Sequence, residues 1–169
     1  MEIWDLYNKH REKIGKDHIR GQRIQEGYYH IVVHVWIRNK QGKFIISQRA
    51  ANRKNYPLKW ECVGGSVLKG ENSFDGAVRE VMEEVGVNLD HLSGENICSY
   101  FREQFNDIVD VWLFEYDGEL QLQNATTDEV VDCKWMSYND IKSLYDMGML
   151  VDTLNYFFDI FRPDGNFNE

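Results

Sequence analysis

Three glutamates, Glu80, Glu83 and Glu84, stand at i, i+3 and i+4 within a stretch whose apolar residues Phe74, Ala77, Val78, Val81 and Val85 recur at helical spacing. At about 100° per residue the apolar positions form one stripe and the glutamates gather on a neighbouring, accessible face. Carboxylates placed this way repel, each pair costing a helix about 0.2–0.5 kcal/mol, unless something positive lies among them. Hard divalent cations take oxygen ligands, and Mg²⁺ is held by a few carboxylates, waters and substrate phosphates. The cluster therefore reads as a Mg²⁺ or Mn²⁺ site, against the competing reading of a solvated acidic helix face. Arg79 can orient the carboxylates through its fork of donors, and Gly64-Gly65 and Gly70 let the preceding loop bring its backbone and Glu71 close to that face.

These residues need a helix to carry them and a sheet to hold the helix. Asn72 or Ser73 can cap the start of the helix, Asp75 suits its first turn and Gly86 can take the left-handed stop. Residues 29–37 are rich in β-branched and aromatic types, break over 39–42 and resume at 44–47, which predicts a central hairpin. A loop over 49–58 carries Arg49, Arg53 and Lys54, and 60–63 reads as a short strand. Further strands are expected at 97–102, 108–116 and 130–136, then a helix capped by Ser137 and a strongly apolar last helix over 150–161. His30 and His34 point to the same face of their strand and read as hydrogen-bonded core histidines. Trp36, Trp60, Trp112 and Trp135 also read as core. The apolar cluster of Leu154, Tyr156, Phe157, Phe158 and Phe161 covers the sheet or seals a homodimer. Residues 1–27 are polar and read as an N-terminal arm or marginal hairpin, leaving 28–169 as one domain. Strands on both sides of a long helix, with helices at the end, give an α/β fold with a mixed β-sheet covered by helices.

Composition bounds the rest. The chain has 169 residues, room for one domain, and its 43% hydrophobic and 14% aromatic content supports a core and excludes a disordered chain. A formal net charge of -9 repels phosphate backbones and argues against general nucleic-acid binding. Cys62, Cys98 and Cys133 include no close pair and are odd in number, as expected of reduced thiols in a cytosolic protein. No export signal or membrane segment is visible, so a cytoplasmic location without membrane contact is expected.

The stretch from Gly65 to Val87 follows a fixed pattern: Gly, five residues, Glu71, seven residues, Arg79-Glu80, an aliphatic, any residue, Glu83-Glu84, any residue, Gly86, an aliphatic. It resembles, at every fixed position, the signature of the Nudix (MutT-like) hydrolases. The resemblance implies a Nudix α/β/α sandwich and metal-dependent hydrolysis of a diphosphate linkage in a nucleoside diphosphate joined to another group. It also implies Glu80, Glu83 and Glu84 as metal ligands with Gly65 beside them, Glu71 as support for the loop, and Arg79 as an orienting residue. Family members differ in which glutamate takes the proton; Glu83 is assigned here as the base. The runs Ser47 through Trp60 and Thr127 through Trp135 are similar to isopentenyl diphosphate isomerases of the same fold, which implies diphosphate binding by Arg49, Arg53 and Lys54. Related hydrolases often supply a further carboxylate where Glu129 lies. The isomerase chemistry needs a cysteine where this chain has Gly64, and a histidine ligand where it has Ser66. The expected function is thus a hydrolase, with isomerase and non-catalytic nucleotide sensor as alternatives.

Overall fold

The computed structural model describes residues 1–90 and 92–168. Strands β1 (Ile3–Tyr7) and β2 (Lys13–Ile19) form a separate antiparallel hairpin. A mixed seven-stranded sheet follows, built from β3 (His30–Arg38), β4 (Phe44–Arg49), β5 (Trp60–Glu61), β6 (Val63–Ser66), β7 (Gly94–Arg102), β8 (Asp107–Glu115) and β9 (Val130–Met136). Helix α1 (Ser73–Val85) covers one face; α2 (Tyr138–Asp146) and the single-turn α3 (Phe157–Ile160) cover the other.

The period-2 alternation of β3 explains the two layers. Val33, Val35 and Ile37 pack with Ala77, Val81 and Val85 of α1, while Trp36 packs on the other side with Ile141, Phe157 and Phe161. A fully buried aliphatic of this kind contributes about 1.5–3 kcal/mol. Asn72 caps α1 by accepting from the Asp75 N–H, and Gly86 ends it in the left-handed region at φ 71°. Ser137 caps α2 in a reciprocal capping box with Asp140.

The structure departs from the sequence reading at four places. β3 and β4 pair only at Arg38↔Phe44 and do not form a full hairpin. β8 takes β3 in parallel along its length, β6 takes residues 32–35 on the other side, and β4 turns away to pair with β9. The expected strand at 60–63 is split at Cys62, with β5 joined to β4 and β6 to β3. The expected helix over 150–161 is a 3-10 turn, Asp152–Leu154, followed by α3. Its beginning is held extended because Trp60 N–H donates to Met149 O at 2.8 Å and Val151 N–H to Trp60 O at 2.9 Å. The apolar cluster there packs against Trp36 and Phe44, as the sheet-covering alternative requires. Finally, the N-terminal hairpin buries Trp4, Leu6 and Tyr7 and is strapped down by Arg11, which pairs bidentately with the wholly buried Asp110.

Candidate active site

α1 and the β6–α1 loop assemble the charged residues around one guanidinium. Arg79 Nε donates to Glu71 Oε1 at 2.8 Å and Nη2 to Glu71 Oε2 at 3.1 Å. Its Nη1 donates to Glu80 Oε1 at 2.9 Å and to Glu83 Oε2 at 3.0 Å, and Nη2 also reaches the Ser66 carbonyl at 2.8 Å. Glu71 further accepts from the Leu68 N–H at 2.9 Å, closing the loop onto the helix. Burial pushes the Glu71 carboxyl up, but these donors overcome it and hold the carboxyl below its usual range.

Glu80 and Glu84 lie deeper. Burial, with Glu83 and Glu129 adding, pushes Glu80 up to about 7 against the pull of Arg79. Glu84 is 6% exposed, and burial together with Glu61, Glu80 and Glu129 raises it well above the carboxylate range, against one hydrogen bond from the Gly64 backbone. Its Oε2 is buried with no hydrogen-bond partner among the described residues. Gly65 lies so close to Glu80 that a Cβ there would stand 2.3 Å from its carboxylate.

The loop after β8 is docked on the end of α1. The Glu83 carbonyl, one of the last-turn carbonyls left free by the helix, accepts from Thr126 N–H at 3.0 Å, Thr127 N–H at 3.1 Å and Thr127 Oγ1 at 3.1 Å. This brings Glu129 to the same cavity, of about 220 Å³, where it pairs with Arg53 at 2.7 Å. Arg49 pairs with Glu61 and donates to the Asn55 carbonyl, and it lies at the junction with a larger cleft of about 640 Å³. Lys54 lines that larger cleft and not the carboxylate cavity. Tyr56, on the same loop, holds a left-handed backbone at φ 51° and also lines the cleft.

Several contributors escaped the sequence reading. Glu61 is a further, half-buried carboxyl, pushed up by desolvation against the pull of Arg49, and no spacing ties it to the glutamates of α1. Glu2 and Arg20 of the N-terminal hairpin line the carboxylate cavity and belong to no motif. His34 is bonded as expected, to Tyr156, whereas the His30 Nδ1 is buried without a partner among the described residues and the ring stacks on Trp4 at 4.0 Å.

The donor set is entirely oxygen, with one buried carboxylate oxygen unpaired, which suits a hard divalent cation. Among the described residues no three His, Cys, Asp or Glu side chains already form a cation cage. Arg79 instead stands between Glu71, Glu80 and Glu83.

Residues 28–151 match the NUDIX domain. The chain belongs to the Nudix family. It is 37% identical over 161 residues to a Nudix hydrolase of Listeria monocytogenes, covering 94% of this chain and 91% of that protein. It is also 27% identical over 121 residues to the isopentenyl-diphosphate Delta-isomerase of Shigella flexneri, covering 66% of this chain and 64% of the isomerase. A Deinococcus radiodurans crystal structure shares the fold with a TM-score of 0.72 at 23% identity, over 89% of this chain and 92% of that one. The protein is therefore a Nudix hydrolase, an enzyme of the class that acts on phosphoanhydride bonds, and the family generally uses divalent cations. No helix among the described residues is long and apolar enough to cross a membrane.

Proposed function

We propose that this Nudix hydrolase cleaves a diphosphate linkage in a nucleoside diphosphate joined to another group, in the cytoplasm, with residues 28–169 as the hydrolase domain and 1–27 as an appended hairpin. The observation that carries the reading is the Arg79-centred carboxylate cluster, with the unpaired Glu84 oxygen at its base, opening through Gly64, Gly65 and Arg49 into a cleft large enough for the linked group. Glu80, Glu83, Glu84 and the Gly65 backbone would hold Mg²⁺ or Mn²⁺. A cation bound there would offset charge on the diphosphate and lower the pKa of an attacking water.

The chain's own groups do the rest. Glu83, the more exposed of the glutamates paired with Arg79, takes the proton from water. Arg79 orients Glu80 and Glu83, and Glu71 fixes Arg79. Arg49, Arg53 and Lys54 receive diphosphate oxygens, with Glu129 holding Arg53 in place. An isomerase reading is opposed by Gly64 and Ser66, which stand where its cysteine and histidine ligand are expected, and by Cys62 lying on the wrong side of the double glycine. The test is metal-dependent phosphate release from nucleoside triphosphates, nucleotide sugars and dinucleoside polyphosphates. Wild-type turnover of one class, lost in Glu83→Gln, supports the hydrolase; an isotope shift in isopentenyl diphosphate without phosphate release would favour the isomerase, and ligand-induced stabilisation without turnover the sensor.

A further inference from the structure

The larger cleft holds a hydrogen-bonding chain that the proposed chemistry does not use. His34 on β3 forms part of its wall, beside Val32, Cys62 and Leu154. The His34 Nδ1 lies 2.9 Å from Tyr156 Oη, and Trp36 Nε1 lies 3.1 Å from the same oxygen. Counting protons assigns the chain. An indole N–H can only donate, so Trp36 occupies one lone pair of the Tyr156 oxygen. If His34 carried its proton on Nδ1, the hydroxyl would accept twice and its own buried proton would have no acceptor among the described residues. With the proton on Nε2 instead, Tyr156 donates to Nδ1 and every buried donor in the chain is used.

The other edge of the ring faces the cleft. Nε2 bonds to nothing among the described residues, yet it is not one of the nitrogens sealed from solvent without a partner, such as Trp4 Nε1 and His30 Nδ1. Gly64, paired with His34 across the β3–β6 ladder, adds no side chain over that edge, its own constraint being the Val33 carbonyl, 2.7 Å from where a Cβ would stand. Burial, with Arg102 adding, lowers the His34 pKa to about 3, and the ring is neutral at physiological pH. Arg102, the cation that adds to this shift, is engaged by Asp107 through bonds of 2.8 and 2.7 Å.

We infer that Tyr156 and Trp36 fix His34 as the Nε2–H tautomer, and that this N–H is a neutral donor selecting diphosphates whose linked group carries an acceptor, a carbonyl oxygen or ring nitrogen as in a nucleobase, over hydrocarbon diphosphates. The inference rests on the hydrolase reading for the position of the diphosphate. A hydrocarbon seated on His34 would strip water from the N–H and return no bond, which is how a polar pocket rejects an apolar analogue. In this scheme His34 sets specificity and Tyr156 is a positioning residue acting through it.

Full-length protein labelled with ¹⁵N at its five histidines gives the test, with the His34 signals assigned by His34→Leu. The wild-type spectrum is expected to show Nδ1 unprotonated and Nε2 protonated, and Tyr156→Phe to release the tautomer into a mixture; a wild-type Nδ1–H form overturns the inference. With Mg²⁺ present, at least one of ADP, CDP, GDP and UDP should move the His34 Nε2 signal, and methylenediphosphonate should not. A response to none of the four, or an equal response to methylenediphosphonate, overturns it. In turnover, His34→Leu should cut kcat/KM for the best nucleotide about 10- to 100-fold through KM, and His34→Gln, which keeps an N–H, by less. Equal losses in the two variants overturn it. Failure of the hydrolase reading shows separately, as a wild type that releases no phosphate, while the spectra still decide the role of His34.

Discussion

Within α1, one guanidinium faces Glu71, Glu80 and Glu83 while Glu84 lies below with an unpaired oxygen, so the four carboxylates are unequal in charge and exposure. Glu83→Gln is expected to lower turnover about 10³-fold with the fold intact, measured by phosphate release and circular dichroism. In chelator, Glu84→Gln should raise Tm by about 2–4 °C, because the amide removes the cost of neutralising a carboxylate at that buried position. The buried histidines give a pH signature. Burial, with His18, Arg102 and Arg20 adding, lowers His30 to about 4, and burial with Arg102 lowers His34 to about 3. Between about pH 6.5 and those values the unfolded chain binds protons that the folded one refuses, so stability falls as pH falls through that window. Urea midpoints from pH 7 to 4 should fall less steeply in a His30→Gln, His34→Gln double variant than in wild type. The glutamates of α1 were legible because their spacing lies within a few helical turns. The His34–Tyr156 bond spans 122 residues, and Glu61 reaches the site through the pairing of β5 with β4, so no local pattern announces either.

Helix α1 announces itself through its period, Asn72 cap and Gly86 stop, because all three are local. Residues 150–161 mislead for the opposite reason: their apolar content is helical in character, but the backbone bonds between Trp60 and residues 149 and 151 hold the start extended. β4 likewise leaves β3 because β9 offers it a longer ladder than the Arg38↔Phe44 contact. Loop placement is equally exacting at Gly65. Gly65→Ala is expected to leave Tm within a few degrees, since the Glu80 carboxylate can swing away from the new Cβ, but to cost at least about tenfold in kcat/KM because that carboxylate then leaves its place. In the N-terminal hairpin, Arg11→Ala strands the buried Asp110 and should cost about 3 kcal/mol in chemical denaturation, with protease sensitivity rising first in residues 1–27. A hairpin that only decorated the surface would show no such loss.

Taken whole, the molecule carries a net charge of -9, while the proposed substrate is itself an anion. The carboxylate cavity is lined by Arg20, Arg49, Arg53 and Arg79 but also by Glu2, Glu80, Glu83, Glu84 and Glu129, so in the proposed function a bound divalent ion would supply the positive charge that an anionic substrate needs there. The sheet sets the layout: β6 and α1 bring the acidic cluster to one end, and the residues of β3 facing α2 and α3 form the floor of the adjoining cleft. Metal-dependent cleavage of a diphosphate linkage at the junction of cavity and cleft is the proposed activity. The most direct measurement is phosphate release by purified protein with Mg²⁺ or Mn²⁺ across triphosphates, nucleotide sugars and dinucleoside polyphosphates, run beside Glu83→Gln. Turnover of one substrate class, dependent on added metal and abolished in the variant, is the predicted result; turnover that survives Glu83→Gln or needs no metal would contradict it.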